Sequence, residues 1–513
     1  MSFKIERTIK HPSLSFGATL AGVAMTGSLW LLSSWATTAG EAIALQGQGA
    51  PACATCHGSH GEGGGNGMYP RLSGLSAAYI ENQLKAFRDA KRVNPLMTPM
   101  VSGLADADIA AVAQYFSQQQ SGFAPATPVT PLQHDRGQTL VTIGAWEQGI
   151  APCAGCHGPQ LQGVAPAIPA LAGQWQRYLA AQLDAYQKGG RSNPLGLMTH
   201  VTRSMSAEDI ESVAAYIANL RPGVTPEPPR PAVPEPWAAV PQSADTFRPP
   251  PDGAIPSGTF GDLVRMGQSI FEDTPKNAAN YSGNALSCRN CHLDRGRAIQ
   301  SSPMWAAYVH YPEYRKKDGL VNTLQMRIQG CFRYSQNGVA PPADSREVTA
   351  LVTYFYWLAT GLPVGIKPKV VGYPKLGAPR QPPSPDRGAK IYSANCALCH
   401  GDDGQGRSTG GYTVFPPLWG PQSFNWGAGM HQVDVSAAFI RSNMPYGAGD
   451  RLTEQEAWDV AAYVGSRPRP QDPRFTNSVD ETRERFHAGH AYDYFGQEVD
   501  GMFLGAPAPA DER

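Results

Sequence analysis

The chain has 513 residues, with 42 Lys+Arg balanced by 42 Asp+Glu, which excludes a protein that holds nucleic acid through a global basic field. Hydrophobic residues make up 42%, enough for several cores and too many for a disordered chain. Fifty-five glycines and 46 prolines beside only 16% charged residues describe small, loop-rich units joined by stiff connectors, and the length suits three or four of them.

The N-terminus carries Lys4, Arg7 and Lys10, then a stretch from His11 to Gly40 without a single charged residue. Over residues 1–41 this predicts an export signal cut near the small residues Ala36–Ala39, or an uncut anchor. Either way the rest of the chain is expected in the periplasm.

Two repeats follow, expected as domains 42–122 and 123–222. Cys53–Gly58 matches Cys153–Gly158, Tyr79 and Gln83 match Tyr178 and Gln182, and Arg92-x-Asn94-Pro95 matches Arg191-x-Asn193-Pro194. Each closes with an apolar helical pattern, Ile109/Val112/Phe116 or Ile210/Val213/Ile217. Residues 223–256 are rich in proline and predict an extended, semi-rigid linker. Beyond it a third domain is expected over 257–365, a connector over 366–386, and a fourth domain over 387–468. The tail, 469–513, shows no interpretable pattern.

Eight of the nine cysteines fall into four copies of Cys-x-x-Cys-His: Cys53/Cys56/His57, Cys153/Cys156/His157, Cys288/Cys291/His292 and Cys396/Cys399/His400. This spacing sets two thiols against the two vinyl groups of a haem and puts the histidine beneath the iron. A redox dithiol needs no histidine, and a zinc site needs a second ligand pair that is missing here. Four covalently bound haem c groups are therefore expected, in an all-α chain of four class I cytochrome c-like domains arranged as two pairs.

Spacing also nominates the distal iron ligands. Met97, Met198 and Met444 stand 40, 41 and 44 residues after His57, His157 and His400. Met100 aligns with Val201 and is expected to pack rather than ligate. The third domain departs from this rule. At 39 residues after His292 stands Cys331, the one cysteine outside the motifs, with Met326 and His310 as competing ligands and a buried structural thiol as the plain alternative. A thiolate ligand lowers the iron potential, which suits sulfur chemistry better than simple electron carriage. Arg315, Lys316, Lys317, Arg327, Arg333 and Arg346 cluster nearby in sequence, and Arg327 falls on the same side of a helix as Cys331. Arginine there suits a sulfur oxyanion.

The stretch Ser287–Leu293, with Tyr311-Pro-Glu-Tyr-Arg315, Arg327-Ile328 and Cys331-Phe-x-x-Ser335-x-Asn337-Gly338, resembles the catalytic haem domain of the di-haem thiosulfate dehydrogenases. Asn443-Met444-Pro445 and Glu456-Ala-x-Asp-Val-Ala-Ala-Tyr463 resemble that family's second haem domain. Some members carry lysine at the second haem; Asn443-Met444 stands in its place here, and Met444 is assigned. Residues 42–222 are similar to the tandem di-haem cytochromes that accept electrons from the enzyme. The resemblance implies a fused thiosulfate dehydrogenase/tetrathionate reductase, with His292 and Cys331 as iron ligands and Arg327 and Ser335 in the substrate pocket. Arg315 and Lys317 are candidates for a further basic pocket residue. The implied partners are thiosulfate, tetrathionate and a downstream periplasmic or membrane electron acceptor. The rival readings are a non-catalytic electron wire, a cytochrome acting on a protein-bound sulfur carrier, and a donor module of a membrane complex.

Overall fold

The computed structural model describes residues 39–47, 50–120, 122–123, 126–229, 245–315 and 319–507. Helices dominate, and the strands form three two-stranded antiparallel hairpins: Glu313–Arg315 with Leu320–Asn322, Arg407–Thr409 with Tyr412–Phe415, and Glu498–Val499 with Met502–Phe503. The chain is an all-α multihaem architecture with hairpins as ornaments. Lys317 and the N-terminal apolar stretch up to residue 38 lie outside the described residues. Among the described residues, no helix is long and apolar enough to cross a membrane.

Each haem unit is built on one crossing of an N-terminal and a C-terminal helix. The pairs are 39–46 with Asp106–Gln118, Pro131–Thr142 with Ala207–Asn219, Gly258–Glu272 with Arg346–Leu358, and Pro385–Asn395 with Glu454–Gly465. The same device makes all four crossings possible. Gly40, Gly137, Gly267 and Gly388 lie flat against the backbone carbonyls of Ala111, Ser212, Ala350 and Asp459, and a methyl group at any of them would overlap that oxygen. The partner helix places an aromatic ring four residues on, at Tyr115, Tyr216, Tyr354 and Tyr463. A glycine costs a helix about 1 kcal/mol in propensity, and the close approach it permits offsets that loss.

Capping secures the C-terminal helices. Ser206 and Thr453 accept from the backbone N–H three residues on, and Asp209 and Glu456 reach back to the first residue. Asp209 also accepts from Arg136 Nε at 2.6 Å, tying this helix to its partner.

The first two units pack through a pseudo-twofold. Arg92 donates to Gln182 Oε1 at 2.8 Å and Tyr178 Oη at 3.3 Å, and Arg191 donates to Gln83 Oε1 at 3.1 Å and Tyr79 Oη at 3.2 Å. The aligned Arg, Gln and Tyr positions of the repeats are thus the two halves of one interface. Arg71 adds a buried link, its Nη2 donating to Ala172 O at 2.7 Å.

The end of the proline-rich segment is not a free spacer. Phe247 is buried against Trp305, and Asp252 accepts from Gln268, Arg295 and Arg297, with which it forms two ion pairs. The 366–386 connector is likewise built in: Tyr373 Oη donates to Cys291 O at 3.2 Å and its ring meets Phe439 at 5.3 Å. The tail folds onto the fourth unit, where Phe495 and Leu504 bury Trp426.

Candidate haem sites and active site

The four Cys-x-x-Cys-His motifs share one geometry. The Nδ1 atoms of His57, His157, His292 and His400 face the carbonyl oxygens of Pro70 (3.0 Å), Pro169 (2.9 Å), Ser302 (2.8 Å) and Pro416 (2.9 Å). A carbonyl only accepts, so each Nδ1 carries the proton and each Nε2 keeps a free lone pair. Burial holds all four imidazoles below their ordinary range, His292 at about 4, where Arg327 adds to the effect. A neutral histidine with Nε2 exposed to a cavity is what an iron ligand requires. No disulfide joins any of the nine cysteines, which leaves each motif pair available for thioether attachment.

A cavity of about 1420 Å³ runs through the first two units. Its walls hold Cys53, Cys56 and His57, Cys153, Cys156 and His157, and both Met97 and Met198. The apolar lining and the converging sulfur and nitrogen atoms fit two haems. Each methionine sits at the start of a short helix whose backbone is held by the preceding asparagine: Asn94 Oδ1 accepts from Met97 N at 2.9 Å, and Asn193 Oδ1 from Met198 N at 3.2 Å. Met100 also reaches the cavity but is exposed. Met444 ends the Val433–Asn443 helix, and Asn443 donates from Nδ2 to Gln300 O at 3.0 Å, fastening this segment to the third unit.

The third unit holds the one unusual centre. Thr323 caps the Leu324–Gly330 helix, which then widens into a single π-helical turn, Cys331–Ser335. Such a turn inserts one residue and redirects the side chains that follow. Arg327, one turn back, donates from Nη1 to Cys331 Sγ at 3.1 Å, and the sulfur beside it pushes the guanidinium pKa further up. Cys331 lies close enough to Cys288 and Cys291 to act on both electrostatically. The competing ligands stand elsewhere: Met326 is exposed, and His310 Nε2 pairs with Glu313 at 2.9 Å.

The basic residues do not act as one cluster. Arg315 donates from Nη1 to Tyr311 Oη at 3.1 Å, and Tyr311 lies within electrostatic reach of Arg327, so one tyrosine is near both arginines. Arg333 and Arg346 face solvent. Ser335 closes the π turn, with its carbonyl accepting from Asn284 Nδ2 at 2.8 Å. In the sequence Tyr311 stands out only as part of a motif, and Tyr373 does not stand out at all. Tyr373 comes from a proline-bearing connector that carries no local signal, yet it sits within electrostatic reach of Arg327 and Cys331.

One hairpin links three motifs. Arg289, inside the third motif, donates to Thr413 O at 3.0 Å and lies over the Tyr412 ring. Phe415 of the same hairpin meets the His400 ring at 6.4 Å. Val414 and Phe415 pack with Val164 around Cys156 and Cys399. Tyr446, just after Met444, lines the first pair's cavity with Leu398 and Cys399 and contacts Trp146 edge-on at 5.5 Å. The second and fourth motifs are therefore neighbours.

Comparison with known proteins agrees with this division. Residues 276–364 match the SoxA/TsdA cytochrome c domain family, 383–464 match cytochrome c oxidase, cbb3-type, subunit III, and 39–120 and 136–221 each match cytochrome c. Thiosulfate dehydrogenase of Thiomonas intermedia (strain K12) is 53% identical over 266 residues, 51% of this chain and 84% of its own. The thiosulfate dehydrogenase electron acceptor of Stutzerimonas stutzeri (strain A1501) is 41% identical over 206 residues, 39% of this chain and 94% of its own. The solved structure of thiosulfate dehydrogenase (TsdBA) from Marichromatium purpuratum is 41% identical, covers 91% of this chain and 99% of its own, and superposes with a TM-score of 0.82. A SoxA/TsdA-type catalytic unit, a second haem unit and a tandem acceptor cytochrome thus occur on one polypeptide, and the chain belongs to the thiosulfate dehydrogenase family in this fused form.

Proposed function

We propose that this periplasmic tetrahaem cytochrome joins two thiosulfate dianions into tetrathionate at Cys331, and runs the reverse reduction at the same place. The observation that carries the reading is the Arg327–Cys331 contact, with Arg315 bonded to Tyr311 nearby. His57 with Met97, His157 with Met198, His292 with Cys331, and His400 with Met444 would hold haem at the four motifs, and haem there would supply one-electron redox chemistry for the two electrons released. Cys331 thiolate bonds to the sulfane sulfur of a first thiosulfate as two electrons leave. The second thiosulfate attacks that sulfur, releasing tetrathionate and restoring the thiolate. Charge balances, since two dianions become one dianion and two electrons. Arg327 and Arg315 offset the repulsion between the two anions, and Ser335, at the end of the π turn, is proposed as a pocket residue. Lys317 is proposed as a further basic residue.

Electrons are proposed to pass from the third unit to the fourth, then to the second, whose motif packs against the fourth, then to the first and a downstream acceptor. Thiosulfate added to the purified, haem-loaded protein is expected to reduce it and yield tetrathionate. If small reductants fill all four haems while thiosulfate fills none, the enzymatic reading is wrong. Arg327→Gln is expected to lower kcat/KM for thiosulfate by about 10²-fold with haem content unchanged, because one charged donor at the reacting anion is lost. In Gly155→Leu the added side chain pushes on Tyr446, whose Cε1 already lies 2.9 Å from a Cβ at that position. Stopped-flow spectra should then show the enzyme half reduced at the normal rate and the first pair reduced more slowly.

A further inference from the structure

The tail holds a second site that the sulfur chemistry does not use. His431, from the turn before the Val433–Asn443 helix, meets His487 and Asp493 of the tail in a dry interior where each side chain is at most 4% exposed. Asp493 Oδ1 accepts from Phe495 N at 2.9 Å, which aims Oδ2 at both rings: His431 Nε2 at 3.1 Å and His487 Nδ1 at 2.8 Å. The outer nitrogens are taken. His431 Nδ1 donates to the Ala428 carbonyl, and His487 Nε2 lies 3.2 Å from Asp472 Oδ2, which also accepts from Arg474.

These partners fix the proton positions. With Nδ1 protonated against a carbonyl, neutral His431 presents a bare lone pair to a carboxylate oxygen. Neutral His487, bonded outward to Asp472, does the same. Two acceptors facing a third cannot all be satisfied in a water-free interior without extra positive charge. Two additional protons, one on each ring, would supply it. One divalent cation supplies the same charge and engages all three lone pairs at once.

We infer that His431, His487 and Asp493 bind a zinc ion that pins the tail to the fourth haem unit. Two imidazoles and one carboxylate are a zinc donor set, and both imidazoles already have the outer hydrogen bond, to a carboxylate or a carbonyl, that orients metal-bound histidines. The three donor atoms all lie within 4.8 Å of one another. Tetrahedral zinc with bonds of about 2.0–2.1 Å sets its ligand atoms about 3.3 Å apart, so the two carboxylate–imidazole distances, 3.1 and 2.8 Å, would each open by about half an ångström or less. His490 lies half-buried nearby, its ring 6.2 Å from that of His431 and its Nε2 2.9 Å from Gln432 Nε2. The role is structural. The bound tail buries Trp426, and the loop carrying that residue donates from Asn425 to the carbonyls of Arg333 and Tyr334, inside the π turn of Cys331.

The test is elemental analysis of tag-free, haem-loaded full-length protein, incubated with zinc sulfate and then desalted. One zinc per four irons is expected, with the zinc released by dipicolinate and the melting temperature lowered on release and restored on re-addition. His431→Gln and Asp493→Asn should lose the zinc while keeping the iron, and Asp472→Asn should weaken zinc affinity by about 10–100-fold through the His487 hydrogen bond. Wild-type protein that keeps no zinc, or keeps zinc whose removal leaves the melting temperature unmoved, overturns the proposal. Equal zinc in wild type and both ligand variants overturns it too. Should the variants fail to fold, the wild-type stoichiometry and melting shift still decide.

Discussion

Cys331→Ala is expected to retain four haems and to lose thiosulfate turnover by a factor on the order of 10³ or more, the scale seen when a group that bonds covalently to substrate is removed. Haem content is preserved because attachment depends on Cys288, Cys291 and His292, which the substitution does not touch. The visible spectrum should change at one haem of the four, since Cys331 is the sole cysteine outside the motifs. Pyridine haemochrome assay, spectrum and tetrathionate formation measured on one preparation separate these effects. Turnover within a few-fold of wild type would remove Cys331 from the reaction and leave Arg327 and Arg315 as a simple anion-binding pair.

The second large effect is on stability. Gly267→Ala places a methyl group 2.8 Å from Tyr354 Cβ and closer still to the Ala350 carbonyl oxygen. Alanine gains about 1 kcal/mol of helix propensity over glycine. Overlap with backbone atoms cannot be relieved by a rotamer change, so the two helices must part, at a cost of about 3 kcal/mol or more. The net is a loss of about 2 kcal/mol or more in the third unit. Calorimetry should show the enzyme half melting earlier, while Gly122→Ala, with open space around it, leaves the transitions in place. Unchanged melting in Gly267→Ala would mean that the helix crossing is not under the constraint argued here.

These two predictions draw on different kinds of information. Cys331 was legible because ligand chemistry repeats at a fixed interval: three methionines at 40–44 residues after their histidines made the cysteine at 39 conspicuous. Gly267 was not. A glycine among 55 carries no mark of its role until the helix that approaches it, some eighty residues on, is in place.

The sequence by itself determined the haem number, the all-α class, the pairing of the repeats and the family, because covalent attachment and metal ligation are local and demand particular atoms at short spacings. The aligned Arg92 and Arg191 were visible too, but only as a repeat; that they grip each other's domain required the pseudo-twofold. Tertiary structure alone decided which basic residues gather near the sulfur, since Tyr311 lies near both Arg315 and Arg327 while Arg333 and Arg346 turn to solvent. It also brought the second, third and fourth motifs together around one hairpin, and decided the fate of a tail with no readable pattern. Contacts of that kind join residues from about 60 to 250 positions apart, and no local spacing encodes them. They arise from burial, which selects partners by shape and charge after the helices have formed.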